Sequence, residues 1–200
     1  MLSHPFSTLV LATGNPNKVR ELTGLLGSLG ISLKSLADFS EVVSVDEDGE
    51  TLAENARRKA VGYAQGLGEW VLADDTGLEV DALNGAPGIL SARFAGDGAT
   101  MVENRAKLLG ELQGVSESER TARFVCCLAI ANPAGDVVFE SRGECWGRLR
   151  FEGTGEFGFG YDSLFEIVEY GKTLAEFGLT ATALIGHRGR AVRGLMQLFG

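Results

Sequence analysis

Apolar residues open the chain in a pattern typical of a strand, a loop and a helix. Thr8–Ala12 is a short apolar run that stops at Thr13–Asn17, a segment with glycine and proline, which predicts a buried strand followed by a loop. Apolar residues then recur at helical spacing over Lys18–Leu29, and Gly30 is a typical helix stop. We therefore expect the first helix to start where this loop ends.

The next segments repeat this alternation. A second helix is predicted over Thr51–Tyr63, directly after the acidic cluster Asp46–Glu50. Trp70–Ala73 resembles a buried strand that ends abruptly at the Asp-Asp-Thr-Gly sequence behind it. Glu79–Ser91, with its glycines and proline, predicts a loop, and Val102–Leu112 a third helix.

The second half of the chain favours strands. Alternating and apolar stretches predict three of them, at Ala122–Ala131, Asp136–Arg142 and Cys145–Phe151, with a turn between the first two. Gly153–Asp162 predicts a loop rich in glycine and aromatic residues, and Leu174–Glu176 and Gly189–Leu198 predict short helices. Helices and strands in this order indicate an α/β protein with a mixed sheet and helices packed around it.

Composition and charge exclude several classes of partner. With 200 residues and no linker or repeat, the chain is expected to form one domain. The net charge of −9 and the lack of a basic stripe argue against nucleic acid as a partner. No run approaches the roughly 20 apolar residues that span a bilayer, so no membrane partner is expected. The three cysteines show no metal or disulfide spacing, which suits a cytoplasmic protein.

The loop Thr13–Lys18 is a candidate phosphate site. A loop between a strand and a helix presents free backbone N–H groups and the positive end of a helix dipole to an anion. Lys18 adds a charge, and the side chains of Thr13 and Asn15 add hydrogen bonds. The alternative is a turn that merely starts a helix, and the residues alone leave the two interpretations equally weighted.

Acidic residues form a second candidate. Asp74 and Asp75 are adjacent, and two neighbouring carboxylates repel each other unless a cation compensates them. Asp46, Glu47 and Asp48 lie upstream, and carboxylates from separate loops are typical ligands of Mg²⁺. For this upstream cluster alone, a solvated surface loop is the favoured interpretation.

Two further segments could bind a base. Phe157, Phe159 and Tyr161 alternate with other residues and lead to Asp162, so an aromatic ring could stack on a base or face the core. In the segment around His187, Arg188 offers donors suited to the O6 and N7 edge of a purine. A solvated helix start is the alternative for the second segment.

Together these motifs resemble the inosine/xanthosine triphosphate pyrophosphatases, the Ham1-like family. The resemblance covers nearly the whole chain and rests on LATGNPNKVREL at 11–22, GETLAENARRKA at 49–60, LADDTGLEVDALNGAPGILSARFAG at 72–96, FGYDSLF at 159–165, GKTLAE at 171–176 and HRG at 187–189. It implies hydrolysis of ITP, dITP or XTP to the monophosphate and pyrophosphate. It also implies an elongated mixed central sheet flanked by helices, two lobes within residues 1–200 with the active cleft between them, and a homodimer.

The resemblance also implies roles for individual residues. Asp75 would be the general base and a ligand of Mg²⁺, with Asp46 or Glu47 as a second ligand. Its neighbour Asp74 is the alternative residue to orient the attacking water. Lys18 and Lys59 would stabilise the charge on the leaving pyrophosphate. The residues expected to bind the substrate are Thr13, Gly14, Asn15, Pro16, Asn17, Lys18, Thr76, Phe159, Gly160, Tyr161, Asp162, Lys172, His187 and Arg188.

The chain departs from the family pattern near the histidine. The family has lysine and serine where this chain has Thr182 and Gly186, and proline where it has Ser163. Lys172 is a candidate replacement for the missing cation. Two rival functions follow: a Maf-like pyrophosphatase with a different base preference, and a nucleotide sensor without catalysis.

Overall fold

The computed structural model describes residues 6–195 and shows an α/β architecture. The strands are β1 Thr8–Leu11, β2 Ser32–Ser35, β3 Val71–Val80, β4 Pro87–Gly88, β5 Thr121–Ala131, β6 Val137–Leu149, β7 Phe165–Ile167 and β8 Lys172–Thr173. The helices are α1 Pro16–Leu26, α2 Leu52–Leu67, α3 Met101–Glu111, α4 Leu179–Ile185 and α5 His187–Leu195. None of these helices is long and apolar enough to cross a lipid bilayer.

The central sheet is mixed. β1 pairs in parallel with β2 and β3, whereas β4 is antiparallel to β3, and β7 is antiparallel to β6 and β8. This confirms the predicted mixed sheet with helices. The elongated outline and the cleft between two lobes stay predictions.

The described chain divides into two compact units. Unit 1 comprises the described residues up to Asp75, Cys126–Gly143 and those from Arg188 onward, and unit 2 comprises Thr76–Val125 and Glu144–His187. Four elements, β3, β5, β6 and α5, contribute residues to both. Each unit has its own apolar core. That residues 1–200 form a single two-lobed domain stays a prediction.

The first helix follows the loop after β1, as the sequence predicts, but it begins at Pro16, two residues before the predicted start at Lys18. Asn15 is the N-cap of α1, and its side-chain oxygen accepts a hydrogen bond from the backbone N–H of Asn17. Pro16 suits the first position because the N–H that proline lacks has no partner there within the helix. Leu22 and Leu26 of α1 pack into the core of unit 1.

The predicted end of the strand at Ala73 is wrong. β3 continues through Asp74 and Asp75 to Val80. Charged residues predict a strand end because an unpaired carboxylate is costly inside a sheet. Here cations from other elements bind both carboxylates, so the strand continues through them.

Two further predictions differ from the structure. The two strands predicted at Asp136–Arg142 and Cys145–Phe151 are one strand, β6, because Gly143 keeps an extended, buried backbone instead of breaking it. The helix predicted over Gly189–Leu198 begins earlier, at His187, and its last three predicted residues lie outside the described part of the chain.

Candidate active site

Asp74 and Asp75 occupy the middle of β3 and are both buried, with 1% and 8% of their surfaces exposed. Successive side chains of a strand point to opposite faces of the sheet. The two carboxylates accordingly have different partners, which come from different helices of unit 1. The direct contacts of the adjacent pair therefore form two clusters, although Lys18 and Lys59 each act on the charge of both carboxylates.

The cluster at Asp74 contains two cations and a second acid. Oδ2 of Asp74 lies 3.0 Å from Nζ of Lys18 on α1 and 3.2 Å from the guanidinium of Arg188 on α5. Arg188 also donates to the carboxylate of Glu21. Burial alone would raise the pKa of Asp74, but Lys18 and Arg188 outweigh it and hold that pKa well below its usual range. Asp74 therefore stays ionised, and its two cations hold its carboxylate in place.

The cluster at Asp75 is built by α2. Nζ of Lys59 lies 3.0 Å from Oδ1 of Asp75, and the side-chain amide of Asn55 donates to Oδ2 at 3.3 Å. Burial raises the pKa of Asp75 by more than Lys59 and Lys18 lower it. A carboxylate with a raised pKa is a better proton acceptor than an ordinary aspartate.

The acidic loop reaches this cluster through Glu47. Its carboxylate lies 2.8 Å from Nζ of Lys59, and the backbone N–H of Gly49 donates to Oδ1 of Asn55 at 2.8 Å. Asp46 is exposed, and Asp48 pairs with Arg58. Within residues 6–195, no three His, Cys, Asp or Glu side chains form a group arranged to hold a metal ion. The predicted metal ligands stay a prediction.

The predicted phosphate loop lies beside Asp74. β1 and β3 are parallel, with Leu11 paired to Leu72, so the loop that follows β1 emerges where Asp74 lies on β3. The backbone N–H of Asn15 donates to Oγ1 of Thr13 at 3.2 Å. The loop then enters α1, whose first turn carries Lys18. This arrangement gathers a helix N-terminus and a lysine, both of which attract anions.

In unit 2, the segment Phe159–Asp162 forms a tight turn. The backbone N–H of Asp162 donates to the carbonyl of Phe159 at 3.2 Å, and the N–H of Phe159 donates to the carboxylate of Asp162 at 2.8 Å. The hydroxyl of Tyr161 donates to the carbonyl of Ser91 at 2.9 Å, and burial raises its pKa to about 12. Phe157, by contrast, is exposed.

The histidine is buried and stacked. The ring centroids of His187 and Phe124 lie 4.8 Å apart, and the two ring planes meet at an angle of 18°. Two of the departures from the family pattern, Thr182 and Gly186, lie just before it. The hydroxyl of buried Thr182 donates to the carbonyl of Leu174 at 3.4 Å. A Cβ on Gly186 would lie 2.6 Å from the carbonyl oxygen of Thr182, so this backbone requires glycine where the family has serine.

The predicted site residues thus divide between the two units. In unit 1, Lys18, Lys59, Glu47 and Arg188 gather around the paired aspartates, but Asp46 does not contact them. The loop residues Thr13, Gly14, Asn15, Pro16 and Asn17 also lie in unit 1, between β1 and the first turn of α1. The other predicted substrate-binding residues belong to unit 2, where Lys172 is exposed on β8. The members of unit 2 are Thr76, Phe159, Gly160, Tyr161, Asp162, Lys172 and His187.

Sequence reasoning missed Glu21 and Asn55. Both are polar residues on the buried faces of amphipathic helices, α1 and α2. A polar residue within an apolar stripe is the signal that could have identified them, because burial of such a group requires a partner.

Comparison with known proteins agrees with this architecture. A model of the Ham1 family matches residues 9–198. The dITP/XTP pyrophosphatase of Desulforamulus reducens is 48% identical over 95% of this chain and 94% of its own. Among solved structures, a HAM1 protein from Coxiella burnetii has a TM-score of 0.87 at 36% identity, covering 96% of this chain and 98% of its own. The Ham1 protein of Staphylococcus aureus has a TM-score of 0.83 at 34% identity, covering 96% and 97%. From its sequence and its fold, the chain belongs to the Ham1 family.

Proposed function

We propose that this protein hydrolyses the deaminated purine nucleotides ITP, dITP and XTP to the monophosphate and pyrophosphate. The observation that carries the proposal is the pair of buried carboxylates in β3, one fixed by Lys18 and Arg188 and the other held by Lys59. Membership of the Ham1 family and 48% identity to a dITP/XTP pyrophosphatase support this substrate class.

The triphosphate binds at the start of α1 in this proposal. The loop Thr13–Asn17 offers backbone N–H groups and the positive end of the α1 dipole. Lys18, bound to Asp74 on one side, contributes a positive charge whose position is fixed before substrate arrives. Fixed charges stabilise the developing negative charge of the pyrophosphate without reorganisation.

Mg²⁺ is the proposed cofactor, and the donors at Asp75 fit it. The carboxylates of Glu47 and Asp75 both lie within 3.0 Å of the Lys59 ammonium, so two oxygen donors already converge on one cation. When bound, the metal would neutralise phosphate charge and polarise the phosphoryl oxygens. Asp46 is exposed on the same loop and is the alternative to Glu47 as second ligand.

Asp75 acts as the general base in the proposed mechanism. Its raised pKa makes it a stronger proton acceptor, and it takes a proton from the water that attacks the α-phosphorus. Lys59 orients the carboxylate and, with Lys18, stabilises the leaving pyrophosphate. Asn55 holds the second oxygen of Asp75 and so limits rotation of the carboxylate.

Residues of unit 2 and Arg188 complete the proposed substrate contacts. The turn Phe159–Asp162 and His187 contact the base, and Thr76 and Lys172 contact the nucleotide. Because Glu21 and Asp74 already bind Arg188, any contact it makes to a purine edge would use its remaining donors. We further propose that the protein is a cytoplasmic homodimer. Light scattering can determine the mass of the particle in solution.

The decisive experiment is an assay of pyrophosphate release from ITP, XTP, dGTP and dTTP in the presence of Mg²⁺. Release from ITP and XTP in preference to the others is the expected result. A preference for dTTP would instead support a Maf-like pyrophosphatase. Binding of ITP without any release would support the nucleotide sensor, and either result would overturn the proposal.

A further inference from the structure

Gly160 and Tyr161 are the central residues of the turn Phe159–Asp162. Gly160 has φ of 66°, in the left-handed region, whereas Tyr161 has negative φ. Positive φ at the first central position and negative φ at the second is the φ pattern of a type II′ turn, which favours glycine at the first. The peptide group between these two residues therefore has one specific orientation.

A single side chain from α3 binds this central peptide. Nη1 of Arg105 donates to the carbonyl oxygen of Gly160 at 2.6 Å. Arg105 lies on the second turn of α3, a helix whose start is fixed by a capping box between Thr100 and Glu103. The donor is therefore carried by a rigid element, and its charge strengthens the bond.

Two other hydrogen bonds of the turn do not reach the carbonyl of its central peptide. Asp162 closes the turn through the backbone of Phe159, and Tyr161 is anchored through its hydroxyl on Ser91. Neither bond involves the carbonyl of Gly160. A reversed central peptide would require positive φ at Tyr161, which is strained for a bulky residue, and the bond from Arg105 adds to this backbone preference by holding the carbonyl of Gly160 in one orientation.

We propose that Arg105 is a positioning residue for base recognition, acting through the carbonyl of Gly160. The inference rests on the proposed function, in which Phe159–Asp162 contacts the base. A rotated central peptide would present a different pattern of donors and acceptors to a base edge. Arg105 thereby sets the discrimination between a 6-keto and a 6-amino purine, while the phosphate chemistry at Asp75 is unaffected.

The test compares the full-length wild type with Arg105→Met, Arg105→Lys and the matched control Lys107→Met. Lys107 also lies on α3 and donates to a loop carbonyl, that of Phe94, at 2.8 Å. For each protein, kcat and KM are measured with ITP and ATP, and hydrogen–deuterium exchange is followed over residues 157–162. The melting temperature verifies folding.

For Arg105→Met we expect the ratio of kcat/KM for ITP over ATP to fall about tenfold, through a higher KM for ITP, the effect of one charged hydrogen bond. Exchange in the turn should accelerate. Arg105→Lys, which keeps a donor, should give an intermediate ratio, and Lys107→Met the wild-type ratio. Equal losses for ITP and ATP, or an unchanged ratio, would overturn this inference alone. A wild type that hydrolyses neither ITP nor XTP would overturn the proposed function and this inference with it.

Discussion

The ammonium of Lys59 lies 3.0 Å from the carboxylate of Asp75, and the two side chains are only 8% and 11% exposed. An adjacent lysine normally lowers the pKa of an aspartate, yet burial outweighs it here and the pKa of Asp75 is raised. Burial makes Asp75 more basic, while Lys59 limits that rise and keeps the carboxylate oriented.

Asp75→Asn should abolish most of the turnover of ITP. The amide keeps the shape of the side chain but accepts no proton, and loss of a general base costs about 10²–10⁴-fold in rate. Pyrophosphate release under saturating ITP measures the effect. The control is Asp97→Asn, an exposed aspartate of unit 2, which should retain wild-type turnover. Turnover near wild type in Asp75→Asn would contradict the assignment of the base.

Lys59→Met should move the acidic limb of the pH profile to higher pH. The lysine is the nearest cation that lowers the pKa of Asp75, so its removal lets burial raise that pKa further. Because the base acts only when ionised, kcat/KM should start to fall at a higher pH in this variant than in the wild type. Arg58→Met, the exposed neighbour on α2, should leave the limb in place. An unshifted limb in Lys59→Met would show that Asp75 does not set it.

Glu47→Gln and Asp46→Asn should differ in the Mg²⁺ concentration that each variant needs for half-maximal activity. Both residues are exposed, but the carboxylate of Glu47 lies 2.8 Å from the Lys59 ammonium beside Asp75. We expect Glu47→Gln to raise the half-saturating Mg²⁺ concentration about tenfold, in line with the loss of a ligating or ligand-orienting group. Asp46→Asn should leave it unchanged. The reverse ranking would make Asp46 the ligand.

Strand β3 shows which parts of the fold can be predicted from the sequence and which cannot. Its apolar start at Val71 was predictable, because a short apolar run predicts a buried strand. Its continuation through Asp74 was not, since the compensating cations Lys18 and Arg188 are distant in the sequence. Local patterns record a residue's own preference but not a partner that folding brings to it.

The candidate site shows the same division. The loop after β1 and the helix that follows it are local features, and the sequence predicts both, although it places the helix start two residues too late. Arg188 was interpreted as a solvated residue or a base reader, but the structure buries it between Glu21 and Asp74. Its charge partners lie on α1 and β3, so no pattern within its own segment could identify them.

Arg188→Met should destabilise the protein by about 3–5 kcal/mol at pH 7, because it leaves the buried carboxylates of Glu21 and Asp74 without their shared cation. Arg57→Met is the control: its pair with Glu140 is about half exposed, and its loss should cost less than about 1 kcal/mol. Chemical denaturation measures both. Equal costs for the two variants would contradict a structural role for the buried cluster.

The pH dependence of this loss follows from the depressed pKa of Asp74. A carboxyl whose folded pKa is lowered contributes stability that is present above its unfolded pKa, 3.8, and is lost as pH falls towards the folded value. Arg188→Met raises the folded pKa, so it removes part of this contribution. The difference in unfolding free energy between wild type and variant should therefore be largest near neutral pH and shrink below about pH 4. A difference that is constant with pH would show that the loss comes from packing alone.

Gly14→Ala should separate substrate binding from folding. A Cβ at Gly14 would have no atom within 4 Å, and the residue does not have positive φ. Alanine there should therefore fold with a stability within about 0.5 kcal/mol of the wild type. If the triphosphate approaches the backbone of this loop, however, the added methyl group occupies its place and should raise KM for ITP about tenfold.

Gly24→Ala is the matched control, because Gly24 is equally unobstructed but lies within α1. Alanine at that position should stabilise the helix by about 0.5–1 kcal/mol and leave KM unchanged. A Gly14→Ala variant with wild-type KM would mean that the phosphates do not contact this loop, and the binding site would have to lie elsewhere.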